Sequence, residues 1–320
     1  MIHVSRTPLP SLRQYNTYLK KIWKSNWLTN DGALVRELEE KLKERFGVKH
    51  VVCVSNGTSA IMLSVRAMGV KGKFYVSPNN FIATVSAPVW MGLKPEFVDF
   101  DEEFKGPALI THLYGIPQII DVKPVLCDAS HAFTTMYKGK SVLSYGDISV
   151  ISFHAVKIFQ TAEGGAVVTN NDEFAEKIRW MRNFGLKTRY SYYGTGINCK
   201  MSEFHAAMGL CSLPMVDKIR KRYDQIIKIY NKELGYDHQG VTYYPIWYQS
   251  ESKVLKAIAE FEKHDIYPRR YFYPPLNRVF GGKRCPIAED HMSRVLCLPL
   301  YYRLKEKEIQ QIIELVKKTK

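Results

Sequence analysis

Lys157, Asp128 and His131 are residues whose types and positions could carry out amine chemistry. Lys157 follows the apolar run Ile148–Phe153 and precedes Glu163-Gly164-Gly165-Ala166, which reads as a turn into a further strand. A bare ammonium between two buried strands is costly, so a deprotonated or covalently bonded amine is one reading and an exposed loop lysine the other. Asp128 closes the run Val125-Leu126-Cys127, where a carboxylate needs a cationic or donor partner. A protonated pyridine nitrogen would serve, and capping of a following turn or helix is the alternative. If the chain turns helical after Asp128, His131 lies one turn along the same face. Gly57-Thr58-Ser59 would offer backbone N–H groups and hydroxyls to an anion at a helix start. Phe81 opens a later helix, either as a ring for stacking on a flat ligand or as ordinary core.

These residues need a scaffold that gathers strand ends. Short apolar runs at Val51–Ser55, Phe74–Ser77, Pro95–Asp99, Ala108–His112, Pro124–Asp128, Ile148–Phe153 and Ala166–Thr169 read as strands. Helical periodicity at Leu34–Phe46, Ser59–Met68 and Asp172–Asn183 accompanies them. The alternation predicts an α/β fold with a mainly parallel sheet covered on both faces. Ligands of such sheets sit at the carboxyl ends of the strands, where Ser55–Thr58, Pro78–Phe81, Asp128–His131 and Ser152–Lys157 fall. Beyond Pro214 come a long helix to Glu233, an aromatic and basic stretch, and a helix over Lys305–Lys318. The expected division is a large domain over 1–212, including the N-terminal segment, and a small α+β domain over 213–320.

With 320 residues and 46% of them hydrophobic, the chain can bury a sizeable core. No stretch approaches the roughly 20 apolar residues of a membrane span, and no apolar leader follows the start, so a cytoplasmic protein away from membranes is expected. Six scattered cysteines without a C-x-x-C pair fit reduced thiols. The net charge of +15 is spread along the chain, which argues against nucleic acid and suits a small anionic ligand.

In their order and wording these segments resemble the DegT/DnrJ/EryC1/StrS family of sugar aminotransferases. The resemblance runs through Trp27-Leu28-Thr29-Asn30, Ser55-Asn56-Gly57-Thr58-Ser59-Ala60, Phe81-Ile82-Ala83-Thr84 and Gly92 to Asp99. It continues through His112-Leu113-Tyr114-Gly115, Asp128 to Phe133, Ser152 to Lys157, Glu163-Gly164-Gly165 and Gly196 to Glu203. It implies the aspartate-aminotransferase type of pyridoxal 5'-phosphate (PLP) fold, fold type I, with PLP as cofactor. By position, Lys157 matches the Schiff-base lysine and Asp128 the partner of the pyridine nitrogen. His131 matches the contact to the phenolic oxygen, and Phe81 the stacking ring. Gly57, Thr58 and Ser152 match the phosphate cradle, while Asn198 matches an asparagine reaching the cofactor phosphate of a neighbouring subunit, which implies a homodimer. Thr29 and Asn30 could face the sugar.

The implied reaction moves an amino group from glutamate to the keto sugar of a nucleotide-linked deoxysugar, in two half-reactions with ping-pong kinetics. The nearest branch acts on dTDP-4-keto-6-deoxyglucose to give a 4-amino (viosamine-type) sugar, with 3-keto and GDP-linked substrates as neighbours. Family dehydratases carry histidine where Lys157 stands, so its presence favours transamination. A noncatalytic basic binder of nucleic acid or a nucleotide sugar is the reading from another class. The chain departs from the family pattern at Phe100–Thr111 and Ile116–Cys127, which are too short for the usual surface helices.

Overall fold

The computed structural model describes residues 1–320. Its central sheet has seven strands: β1 (His50–Val54), β2 (Lys73–Val76), β3 (Lys94–Phe97), β4 (Ala108–Thr111), β5 (Val125–Asp128), β6 (Ile148–Ser152) and β7 (Gly165–Thr169). They lie in the order β1-β7-β6-β5-β4-β2-β3. β7 runs antiparallel to both β1 and β6, and every other neighbouring pair is parallel. Each expected apolar run thus becomes a sheet strand.

Side chains alternate across a strand, and both faces here are buried. Val52 and Val54 of β1 pack with Ile61, Val85 and Ile178 from the helices Gly57–Ala67, Ile82–Trp90 and Asp172–Met181. Val51 and Cys53 point the other way, onto Leu38 and Leu42 of helix Ala33–Phe46 and Ala206 of helix Glu203–Ser212. Local polar groups set where these helices begin. Asn56 caps Gly57–Ala67 by accepting from the Ser59 N–H at 2.8 Å. Glu203 accepts from the N–H groups of Leu34 and Val35, each at 2.9 Å, and so caps a helix distant in sequence.

The connections on either side of β4 contain no α-helix, only the 3-10 turn Leu113–Gly115, as their shortness predicts. In place of helices, Phe104, Ile120 and Val122 cover the face of β4 and β5 that carries Ala108, Ile110, Val125 and Cys127. The first short connection also grips the C-terminal region. Asp99 accepts from the N–H groups of Ile287 (3.0 Å) and Ala288 (2.8 Å) at the start of helix Pro286–Ser293, and Glu102 meets the Lys283 ammonium at 2.6 Å.

C-terminal to the sheet, helix Val216–Leu234 leads to the antiparallel pair Tyr244–Trp247 and Val295–Leu298, packed with helices Glu251–Glu262 and Glu306–Thr319. The long helix starts two residues later than its periodicity suggests, because Pro214 lies in the 3-10 turn Leu213–Met215. The N-terminal strand Ile2–His3 pairs in parallel with Ile266–Tyr267. No helix is long and apolar enough to cross a membrane.

Candidate active site

The parallel register sets Thr111 beside Asp128 and Asp128 beside Val150, so β4, β5 and β6 end at one edge of the sheet. A cavity of about 790 Å³ opens there. Gly57, Thr58, Phe81, Asp128, His131, Ser152 and Lys157 all line it, although they span a hundred residues of chain. Asn198, Thr29 and Asn30 do not line it and are exposed elsewhere; the Asn198 side-chain Oδ1 accepts from the Lys200 ammonium at 2.7 Å.

Gly165 brings two of these segments together, since it pairs with Val54 on one side and Ser152 on the other. A Cβ there would lie 2.7 Å from the Asn56 carbonyl carbon, so only glycine allows the β1 exit to cross β7 at this point. As a result, a Cβ on Gly57 would stand 3.0 Å from Ser152 Cβ. The Gly57 and Thr58 N–H groups at the start of helix Gly57–Ala67, which have no acceptor within the helix, thus lie beside Ser152, an arrangement suited to an anion.

Asp128 is buried and doubly held: Thr84 Oγ1 donates to Oδ2 at 2.9 Å, and the Ser130 N–H donates to Oδ1 at 3.0 Å. The Ser130 bond belongs to a turn. The chain does not become helical after Asp128, and it is this turn that carries His131 into the cavity wall. The His131 ring stacks on Phe272 (5.5 Å, 13°) and meets Tyr243 edge-on at 5.0 Å. Its Nδ1 is buried without a hydrogen-bond partner. Burial, reinforced by the charge of Lys157, holds His131 well below the usual histidine range, so the ring is neutral.

Lys157 sits in the turn after β6, its N–H bonded to the His154 carbonyl at 2.9 Å. Burial pushes its amine down to about 8, against the opposing pull of Asp128. Such an amine is neutral often enough near physiological pH to act as nucleophile and base. Phe81 caps helix Ile82–Trp90 and stays 54% exposed, its ring turned toward the cavity and 5.8 Å from Phe272.

A half-buried lysine, an anchored carboxylate, a neutral histidine and open helix N–H groups beside Ser152 are chemically suited to amine chemistry on an anionic ligand. Residues 12–106 and 118–317 match the DegT/DnrJ/EryC1/StrS aminotransferase family. The chain belongs to that family. A dTDP-4-amino-4,6-dideoxy-D-glucose transaminase from Shigella dysenteriae is 34% identical to this aminotransferase over 100% of the chain and 99% of the relative. Its namesake from Escherichia coli is 30% identical, with 98% of each chain covered. The solved structure of DesI in the presence of its TDP-sugar product superposes with a TM-score of 0.91 at 28% identity, covering 99% of this chain and 92% of that one. The DegT/DnrJ/EryC1/StrS aminotransferase has the aspartate-aminotransferase-like fold expected of it. The family is PLP-dependent.

Three side chains in this aminotransferase's site went unassigned from sequence. Thr84, which holds Asp128, lies one turn into the helix that Phe81 opens, so helical spacing could have found it. Arg269 lines the cavity, and its guanidinium has no ion-pair partner, whereas Arg270 turns away to Glu251 at 2.8 Å. Tyr243 arrives from the C-terminal region with no motif to announce it.

Proposed function

We propose that this aminotransferase binds PLP through Lys157 and transfers an amino group from glutamate to dTDP-4-keto-6-deoxyglucose, giving a 4-amino-4,6-dideoxyglucose. The observation that carries the reading is the convergence of Lys157, Asp128 and His131 on one cavity in a chain 34% identical to a transaminase of that name.

The residues present fit the cofactor. The unpartnered His131 Nδ1 suits a phenolic oxygen, and the cradle of Gly57, Thr58 and Ser152 suits a phosphate. Asp128 suits a protonated ring nitrogen, and the face of Phe81 suits a pyridine ring. When bound, PLP supplies a carbonyl that receives the amino group and a ring that accepts electrons from the carbon losing a proton.

The chain's own residues do the rest. Asp128, held by Thr84 and Ser130, keeps its charge directed at one point in the cavity. Lys157 Nζ takes the proton from the α carbon of glutamate, and in the second half-reaction delivers one to the sugar carbon that gains the amino group. Arg269 is placed to bind an anionic part of the substrates, the diphosphate or a donor carboxylate. Neutral His131 and the aromatic wall of Phe272 and Tyr243 keep water from one side of the reacting centre.

We assign residues 1–212 to the cofactor-binding domain and 213–320 to the small one. We also infer a homodimer in which Asn198, exposed and outside this cavity, serves the neighbouring site, with Thr29 and Asn30 near the sugar. Six buried free thiols suit a cytoplasmic enzyme.

Incubation with PLP, glutamate and a panel of dTDP-, GDP- and UDP-linked 4-keto and 3-keto sugars, with products read by mass and NMR, tests the reading. Amination at C4 of the dTDP sugar is expected. A different preferred nucleotide or carbon would reassign the substrate, and no amination of any panel member would overturn the function.

A further inference from the structure

Tyr243 is a bulky residue held in the left-handed region of backbone space, at φ 60. That conformation is costly for any residue with a Cβ and persists only where its surroundings enforce it. Here the enforcement comes from the exit of β4. The Tyr114 carbonyl accepts from the N–H groups of both Val241 (2.9 Å) and Thr242 (3.1 Å). Gly115, at φ 82, leaves room for this approach, since a Cβ on it would stand 2.3 Å from Val241 Cγ2 and 2.8 Å from the His131 carbonyl oxygen. Tyr114 also donates its hydroxyl to the Tyr271 carbonyl at 2.5 Å. A sheet exit two strands away from Lys157 thus fixes the segment that carries Tyr243.

The forced turn has one visible product. The Tyr243 ring is buried, braced on Tyr271 at 4.6 Å and on the edge of His131 at 5.0 Å, with the Lys157 ammonium 5.9 Å from its centroid. Lys157 has no hydrogen-bonded carboxylate, and Asp128 is committed to Thr84 and Ser130. An ammonium in that position gains from the negative face of a ring that is itself largely buried. The other titratable groups lining the cavity are His131 after β5, His154 and Glu163 on the lysine's own loop, His3 from the N-terminal strand, and Glu262, Tyr267, Arg269 and Tyr271 from the C-terminal region.

We propose that Tyr243 is a positioning residue for Lys157: its ring face holds the lysine ammonium whenever that amine is not bonded to cofactor, keeping the catalytic base beside the reacting carbon. The proposal rests on Lys157 being the catalytic amine, but not on which sugar is aminated. It also explains why a strained turn is maintained 86 residues from Lys157 in the chain.

The apoenzyme provides a test that needs neither cofactor nor substrate. The rate of acetylation of Lys157 by acetic anhydride, followed by mass spectrometry as a function of pH, reports the midpoint at which the amine loses its proton. Tyr243→Phe keeps the ring and should leave the midpoint in place, whereas Tyr243→Leu should lower it by about half to one pH unit. Because the leucine variant could lose the turn, the second series keeps the phenylalanine shape and adds ring fluorines, which drain the negative face. Its midpoint should fall stepwise with each fluorine. A midpoint that does not fall across the fluorinated series, or a Tyr243→Phe shift as large as that of leucine, would overturn the proposal. In the loaded enzyme the same loss of ring charge should lower kcat and leave KM for the sugar substrate unchanged.

Discussion

Thr84 Oγ1 donates a hydrogen bond to Asp128 Oδ2 at 2.9 Å, joining the helix after β2 to the end of β5 inside the core. The pair decides where the charge of Asp128 points, because the other oxygen is already held by the Ser130 N–H. In Thr84→Val a methyl of the same shape replaces the hydroxyl, and a hydrogen bond to a charged group worth roughly 1.5–3 kcal/mol is lost. We expect kcat/KM to fall by roughly ten- to a hundredfold with little change in fold, as read by steady-state kinetics and circular dichroism. Unchanged kinetics would show that Asp128 needs no such anchor.

Lys157→Ala should remove the visible absorbance of the PLP-loaded protein and its capture by borohydride. Turnover should drop by at least roughly a hundred- to ten-thousandfold, since the proposed proton carrier goes with the proposed tether. Residual PLP held by the cradle should still be detectable by equilibrium dialysis. A variant that kept the band would place the cofactor on another amine.

The burial of Lys157 also sets a pH dependence. Its amine is pushed from 10.5 down to about 8, so between those values the unfolded chain carries a proton that the fold does not. Stability therefore rises with pH across that window, with the penalty complete below it and absent above. Chemical denaturation of the apoprotein from pH 7 to 11 should show the wild type gaining on Lys157→Met as pH rises. A difference that stays flat would mean that the ammonium is not buried.

At Gly165 the prediction is steric. The added Cβ of Gly165→Ala would press on the Asn56 carbonyl carbon at 2.7 Å and the Gly57 nitrogen at 2.8 Å, and neither backbone atom can swing aside. Overpacking of this kind costs roughly 1–3 kcal/mol, which should lower Tm. Because the displaced backbone belongs to the proposed phosphate cradle, the dissociation constant for PLP should rise as well.

Arg269→Ala should raise KM for the nucleotide sugar by tenfold or more, on the order of one lost charge-assisted contact, while kcat changes little. An increase confined to glutamate would reassign the guanidinium to the donor carboxylate.

Much of the architecture was legible from the chain alone. Apolar runs of strand length separated by helical periodicity dictated seven sheet strands, and the strand-end rule located the residues that line the cavity. Lys157, Asp128, His131 and Ser152 were legible as candidates because each ends a strand or lies within five residues of its carboxyl end, a property local in sequence, while their roles came from the family resemblance. The missing surface helices beside β4 were equally legible, since too few residues were present to build them.

Long-range pairing was decided only in three dimensions. His131 reached the cavity through a turn where helical spacing would have placed it on a helix face, because Asp128 Oδ1 binds the Ser130 N–H. Tyr243 entered from the far end of the chain, carried by contacts such as Tyr114 with Val241 that no local pattern encodes. Asn198, Thr29 and Asn30, assigned by resemblance, stayed outside the cavity of their own chain. A sequence specifies which segments must be buried and how each turns locally. Only packing decides which distant side chains share the same low-dielectric space, and there the charge of Lys157 is set.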